Sequence, residues 1–249
     1  MKWFKRLLGV ALLLLIFAIW ANMRLSAPVA PTMAEPQSIY LERGEAAQSA
    51  YDQLAKISQA NGGKLSAFQV KLLATLTGRS SNYKVGEYEF DSKATLSQLL
   101  TRLSKGQITQ RKIRIAEGVT WREIKQVFAK ADLQHDAQDL SDADLVRAVG
   151  ITEPADAKSI EGLIFPDTYL YRKGEKETSV LKRAHDLLNK KIAELWPKHS
   201  PNLPYQTPYE ALIMASIVEK ETGLDADRPM VAAVFVNRMR KGMPLQTDP

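Results

Sequence analysis

The chain has 249 residues, 45% of them hydrophobic, a formal net charge of +6 and no cysteine. That length holds one large or two small domains with ordinary cores, and the missing thiols exclude disulfides and thiolate metal sites. Three histidines, His135, His185 and His199, show no ligand spacing and are read as solvent-facing, so neither a metal nor a cofactor is expected.

At the N-terminus Lys2, Lys5 and Arg6 precede an uncharged apolar run from Leu7 to Ala21, followed by Asn22, Met23 and Arg24. The run is nearer in length to a signal-peptide core than to a full span, so a cleaved signal and an anchor both fit. Proline flanks the small residues of Ala27-Pro28-Val29-Ala30-Pro31, which makes a poor cleavage site, and Trp3, Phe4 and Trp20 suit the two membrane interfaces. The expectation is an uncleaved single-pass anchor over residues 1–25, its basic end in the cytoplasm and everything after it outside. Residues 26–37, rich in Pro and Ala without apolar period, read as an extended tether that lifts the folded part off the bilayer.

Alternation and helical periodicity then predict a strand at 38–42, helices at 46–57 and 66–76, a strand at 84–90, and a helix at 96–103 stopped by Gly106. A half-buried strand at 110–116, with Lys112, Ile113, Arg114 and Ile115 alternating, leads into a helix capped by Thr120. Together these make a small α+β module over 38–135. Beyond it a helix at 140–149 precedes residues 160–171, a turn and strand dense in aromatics. Tyr169 and Tyr171 alternate with Leu170, so one face is wet. Such rings stack on sugar faces; aromatic core packing is the alternative. A basic amphipathic helix over 179–195 carries Leu181, Leu187, Leu188, Ile192 and Leu195 on or near its apolar side. Basic and acidic residues are interspersed and no basic-aromatic stripe appears, so an acidic cell-wall polymer or anionic membrane surface is a better partner than nucleic acid.

The most telling segment follows a proline-bearing connector. Thr207, Pro208 and Glu210 form a capping-box start, and Gly223 reads as the stop. Apolar residues from Ala211 to Val218 cover every side, which predicts a buried central helix that ends in a carboxylate, Glu219. Glu219 shares a face with Leu212, Ala215 and Ser216, whereas Glu221 points about 160° away. Burial and the carbonyl end of the helix would both raise the pKa of such an acid and keep a proton available near neutrality, as general acid catalysis requires. The plain alternative is a last-turn glutamate paired with Lys220 or Arg228. A final helix starts at Asp227, whose side chain can cap it, and runs to Lys241 with Gly242 as stop.

Several blocks then resemble a known family: Ile113-Arg114-Ile115-Ala116-Glu117-Gly118-Val119-Thr120; Glu161-Gly162 with Phe165-Pro166-Asp167-Thr168-Tyr169; Ala215-Ser216-Ile217-Val218-Glu219-Lys220-Glu221; and Val234-Phe235-Val236-Asn237-Arg238 leading to Met243-Pro244-Leu245-Gln246-Thr247-Asp248-Pro249. With the N-terminal anchor, these are similar to the YceG-like family, the endolytic murein transglycosylases of the bacterial inner membrane. The resemblance implies an α+β protein: a LysM-like module that touches glycan over 38–135, then a mixed α/β catalytic domain over 136–249. It implies Glu219 as the catalytic residue of a lyase that cuts the β-1,4 bond between N-acetylmuramic acid and N-acetylglucosamine in nascent strands, leaves 1,6-anhydro ends and limits strand length. It implies peptidoglycan synthases and the elongation machinery as partners at the inner membrane, with the catalytic domain in the periplasm. Asn237, Gln246 and Asp248 are expected near the substrate with Tyr169, although Asn237 equally suits a cap. Family members continue well past the last block, so the catalytic domain is expected to be incomplete at Pro249. A noncatalytic, membrane-anchored peptidoglycan-binding scaffold is the competing class.

Overall fold

The structure, a computed structural model, describes residues 2–42, 47–81, 83–155 and 157–246. The chain divides into two compact units, Met1–Gln110 and Arg111–Pro249. Both are α+β, each with one two-stranded antiparallel sheet among the described residues.

Unit 1 begins with α1 (Lys2–Ser26), long and apolar enough to cross a membrane; a signal sequence would meet the same test. Strand β1 (Gln37–Leu41) pairs with β2 (Gly86–Phe90), Gln37 facing Phe90 and Leu41 facing Gly86. Between them lie α2 (Ala47–Ala60) and α3 (Ala67–Leu76), and α4 (Leu96–Lys105) follows β2. Ser66 with Gln69 and Thr95 with Gln98 form capping boxes that satisfy the first amides of α3 and α4. Leu96, Leu99, Leu100 and Leu103 give α4 one apolar stripe, which packs with Ile39, Leu54, Leu73 and Tyr88.

Residues 26–37 are not the free tether expected. Val29 and Ala30 are 0% exposed and belong to the core. Val29 N–H donates to the Ala94 carbonyl at 2.9 Å, and the Ser58 hydroxyl donates to the Val29 carbonyl at 2.6 Å. Val29, Ala30 and Met33 together with these bonds hold a proline-interrupted segment that has no periodicity of its own.

Unit 2 contains β3 (Arg111–Arg114), α5 (Trp121–Phe128), α6 (Asp142–Val149), β4 (Thr168–Tyr171), α7 (Glu177–Leu195), α8 (Pro208–Glu221) and α9 (Arg228–Arg240). Strand β3 pairs antiparallel with β4, Arg111 opposite Tyr171 and Arg114 opposite Thr168. Trp121, Ile124 and Phe128 of α5 pack into the same core as Leu145 of α6 and Val180, Leu181 and Ala184 of α7. The division therefore falls after residue 110 rather than 135, because the partner of β3 lies in the second half of the chain.

Two side chains on α7 differ from expectation. Leu195 is exposed, whereas His185 is 1% exposed. His185 Nδ1 meets the Leu163 carbonyl at 2.9 Å and Nε2 meets Asn189 Nδ2 at 2.9 Å, so both ring nitrogens are satisfied inside the core. The expectation of a solvent-facing histidine failed because an amphipathic helix accepts a polar ring wherever its nitrogens find partners.

Helix α8 also departs from the buried central helix expected. Only Met214 and Val218 are buried, and they form a small separate cluster with Phe235 of α9. Leu212 reaches the main core, while Ile213, Ala215 and Ser216 are exposed. The helix ends at Thr222, extended in backbone, rather than at Gly223, and Asp227 precedes α9 without a side-chain cap bond.

Candidate functional site

A cleft of about 500 Å³ opens in unit 2 between three segments. One wall is the loop from β3 to α5, residues 115–120; the second is the turn at 161–166; the third is one face of α8. That face consists of Leu212, Ala215, Ser216 and Glu219 together with Tyr209, Ile213 and Lys220, which matches the helical-wheel grouping made from the sequence. Glu221 is not part of the lining.

Each wall is held by identifiable bonds. Thr207 accepts from Glu210 N–H at 3.2 Å, and the Glu210 carboxylate accepts from the amides of Gln206 and Thr207, so the capping box fixes the start of α8. The loop wall enters α5 through a second capping box, in which Glu123 accepts from Thr120 N–H at 2.7 Å and from the Thr120 hydroxyl at 2.8 Å. These bonds hold the Glu123 carboxyl below its usual range, and the charge of Lys220 adds to them. Glu161 crosses between walls, its Oε2 accepting from Trp121 N–H at 2.8 Å, one of the amides that α5 cannot satisfy internally. The turn is tied to α7 by His185 beneath Leu163 and by Phe165 N–H to the Ala184 carbonyl at 3.3 Å.

Glu219 reaches the cleft from the last turn of α8. Its side chain is 30% exposed, so the deep burial expected of it is absent. Instead Oε2 lies 3.0 Å from a terminal nitrogen of Arg228, the first residue of α9, whose other terminal nitrogen meets Asp225 at 3.0 Å. This is the pairing that the sequence left as the plain alternative. Arg228 Nε is buried without a partner. Opposite, the loop wall comes close because Gly118 has no side chain: a Cβ there would lie 3.4 Å from Glu219 Cγ and 3.9 Å from Oε1. Gly118 adopts φ +68°, which L side chains rarely accept.

The other expected site residues lie elsewhere. Tyr169 is buried in the core of unit 2, donating its hydroxyl to the Phe165 carbonyl at 2.6 Å. Burial, and secondarily the charge of Asp167, push its pKa to about 12. The wet face of β4 is Thr168 and Leu170, so the alternation was right and the aromatic side is the inner one. Asn237 is exposed on α9, its carbonyl accepting from Lys241 N–H, and is not in the lining. Gln246 is exposed, and its carbonyl accepts from Arg238 at 2.6 Å. Asp248 lies outside the described residues.

Two further carboxylates line the cleft, Glu117 and Glu161, which the sequence had placed in motifs without a chemical role. Glu161 is engaged with Trp121; Glu117 lies 3.8 Å from Arg114. Among the described residues no group of three His, Asp or Glu side chains could hold a metal ion.

The model of the YceG-like family matches residues 39–249. An endolytic murein transglycosylase from Bacillus subtilis is 28% identical over 191 residues, 68% of this chain and 51% of the relative. One from Streptococcus pneumoniae is 26% identical over 208 residues, 71% of this chain and 37% of the relative. The chain thus spans about half or less of the length of these curated relatives. A solved structure of a putative yceG-like protein from Listeria monocytogenes aligns with TM-score 0.41 and 21% identity, covering 86% of this chain and 73% of that one.

Proposed function

Because the chain belongs to the YceG-like family, we propose that it is an endolytic murein lytic transglycosylase with Glu219 as its single acid/base. The observation that carries this reading is the carboxylate of Glu219, held on the wall of a cleft of about 500 Å³ between Gly118 and Arg228. The names of its relatives supply murein as the substrate class, and the proposal takes its nascent glycan strands as the target.

The chemistry asks two things of one carboxyl group. As acid, Glu219 gives its proton to the oxygen bridging N-acetylmuramic acid and N-acetylglucosamine, and the C1–O bond breaks. As carboxylate, it then takes the proton of the muramoyl C6 hydroxyl while that oxygen attacks C1, closing the 1,6-anhydro ring without water. The proton lost in the first half is regained in the second, so no enzymic nucleophile is needed. Oε2 faces Arg228, which leaves Oε1, on the Gly118 side, as the oxygen that carries the proton to the substrate. The guanidinium remains next to the site to hold the carboxylate in place for the second half.

The wider reading is that α1 anchors the protein in the inner membrane with unit 2 in the periplasm, that unit 1 acts as a LysM-like module on glycan, and that cutting near the synthases terminates strand growth. The cleft also favours a second reading. Glu117 and Glu161 line it together with Glu219, each from a different wall, and a carboxylate pair would activate water and make the protein a hydrolase.

One experiment separates these. Uncrosslinked glycan strands are incubated with the detergent-solubilised protein and its Glu219→Gln variant, and the products are weighed by mass spectrometry. Anhydro-muramoyl ends from wild type alone support the transglycosylase. Reducing ends select the hydrolase, and glycan binding without cleavage selects the noncatalytic scaffold.

A further inference from the structure

We propose that unit 1 sits directly on the lipid surface in one fixed orientation, because the last turns of α1 belong to its protein core rather than to the bilayer. This rests on the reading of α1 as a membrane anchor, and it replaces a swinging tether with a rigid mount.

The exposure of α1 changes sharply along its length. From Trp3 to Ile19 the side chains are exposed, and no part of the most apolar window is covered by protein. Trp20, Ala21 and Leu25 instead pack against the core cluster of unit 1, where α1 meets α4. Side chains committed to that core are unavailable to lipid, so the lipid-facing stretch is the 17 residues Trp3–Ile19. At 1.5 Å per residue these span about 25 Å, short of a hydrocarbon layer of about 30 Å. A short span is relieved by thinning the bilayer and by snorkelling of flanking residues, and it leaves no spare length of α1 to lift the attached unit away from the headgroups. Arg24, half-buried one turn after Trp20, is placed to meet lipid phosphates.

There is no slack after the helix either. Pro28 bridges to Thr95, Val29 is bonded to Ala94 and Ser58, and Thr32 N–H donates to the Asn61 carbonyl at 3.2 Å. Gly63 makes room for this docking: a Cβ there would fall 2.3 Å from the Val29 carbonyl oxygen and 2.1 Å from the Ser58 hydroxyl. Twelve residues of open tether would wander over about 20 Å root-mean-square. Here the same residues are built into the fold, so the position of α4 is set by where α1 leaves the bilayer.

The chain has no cysteine, so Met23→Cys and Lys105→Cys, both at exposed positions, place two spin labels without background. Pulsed electron resonance on the full chain in nanodiscs of anionic lipid should give one narrow distance peak. The additional pair Trp20→Ser and Leu25→Ser should broaden it. A third label at the exposed Lys93→Cys, next to the Ala94 and Thr95 docking site, should relax faster when nickel is chelated to the lipid headgroups. A broad peak in the parent, an unchanged peak in the serine pair, or a Lys93 label blind to headgroup nickel would each overturn the rigid mount. Intact mass of the protein recovered from membranes tests the underlying reading separately: loss of residues 1–25 would mean that α1 is a cleaved signal, whatever the distances show.

Discussion

Gly118 offers the sharpest test of where Glu219 sits, because the same glycine carries a backbone cost and a steric one that can be separated. At φ +68° an alanine pays about 1–2 kcal/mol for the left-handed conformation. Stiffening of the unfolded chain returns about 0.4–1 kcal/mol, so the net loss is about 1 kcal/mol. For a chain of this size that lowers Tm by about 2–4 °C. Gly150 provides the control: φ is +80°, and its nearest neighbour is the flexible end of Lys182 at 3.8 Å, so Gly150→Ala should show the same loss. The two positions part company in activity. The alanine methyl at 118 would lie 3.4 Å from Glu219 Cγ, ordinary contact, and cleavage per folded molecule should stay close to wild type. Valine extends about 1.5 Å farther and must push the carboxylate aside. A displacement of about 1 Å costs on the order of 100-fold in rate, so Gly118→Val should lose that much anhydro product while Gly150→Val does not. Thermal melts report the backbone cost, and mass spectrometry of products reports the steric one. Wild-type cleavage by Gly118→Val would refute the placement of Glu219 against this loop; Gly118→Ala with an unchanged Tm would refute the backbone argument.

Glu219→Gln should abolish cleavage yet leave the melt nearly unchanged, because its pair with Arg228 joins side chains 30% and 41% exposed, and such pairs contribute less than about 1 kcal/mol. A collapse in Tm would mean the residue is structural. Tyr169→Phe tests the buried hydroxyl: the fold raises its pKa from 10.0 to about 12. That contribution is fully present below pH 10 and is lost as pH rises to about 12. The variant should be less stable by about 1 kcal/mol near neutrality and flatter than wild type across that alkaline window in urea titrations; an identical slope would sink the assignment. Glu161→Ala removes the acceptor for Trp121 N–H and should destabilise by about 1–3 kcal/mol, seen as a lower urea midpoint. A midpoint equal to wild type would show that the bond between the two cleft walls contributes nothing.

Much of the local structure could be read residue by residue. The Thr207-Pro208-Glu210 start of α8 and the glycine stop at Gly106 are found as expected, because capping bonds and positive-φ turns form among residues a few positions apart. The face shared by Leu212, Ala215, Ser216 and Glu219 followed from helix geometry alone, and it became a wall of the cleft. What failed required a distant partner. The strand at 111–114 was placed with the first module because its mate, 168–171, is remote in sequence. The segment at 26–37 read as tether because its burial comes from Ser58, Ala94 and Asn61, none of them near in sequence.

The amino-acid sequence by itself determined the helices and strands, the apolar N-terminal helix, the family and the carboxylate at the end of α8, since each depends on composition, short-range spacing or motif order. Only the tertiary structure decided that α8 is half-open rather than central, that Tyr169 faces inward, that Gly118 backs Glu219, and that Arg228 holds it. Periodicity states which residues share a face, but the surroundings of that face depend on neighbours brought in from elsewhere in the chain. For Glu219 those neighbours are a glycine far upstream on one side and an arginine nine residues downstream on the other.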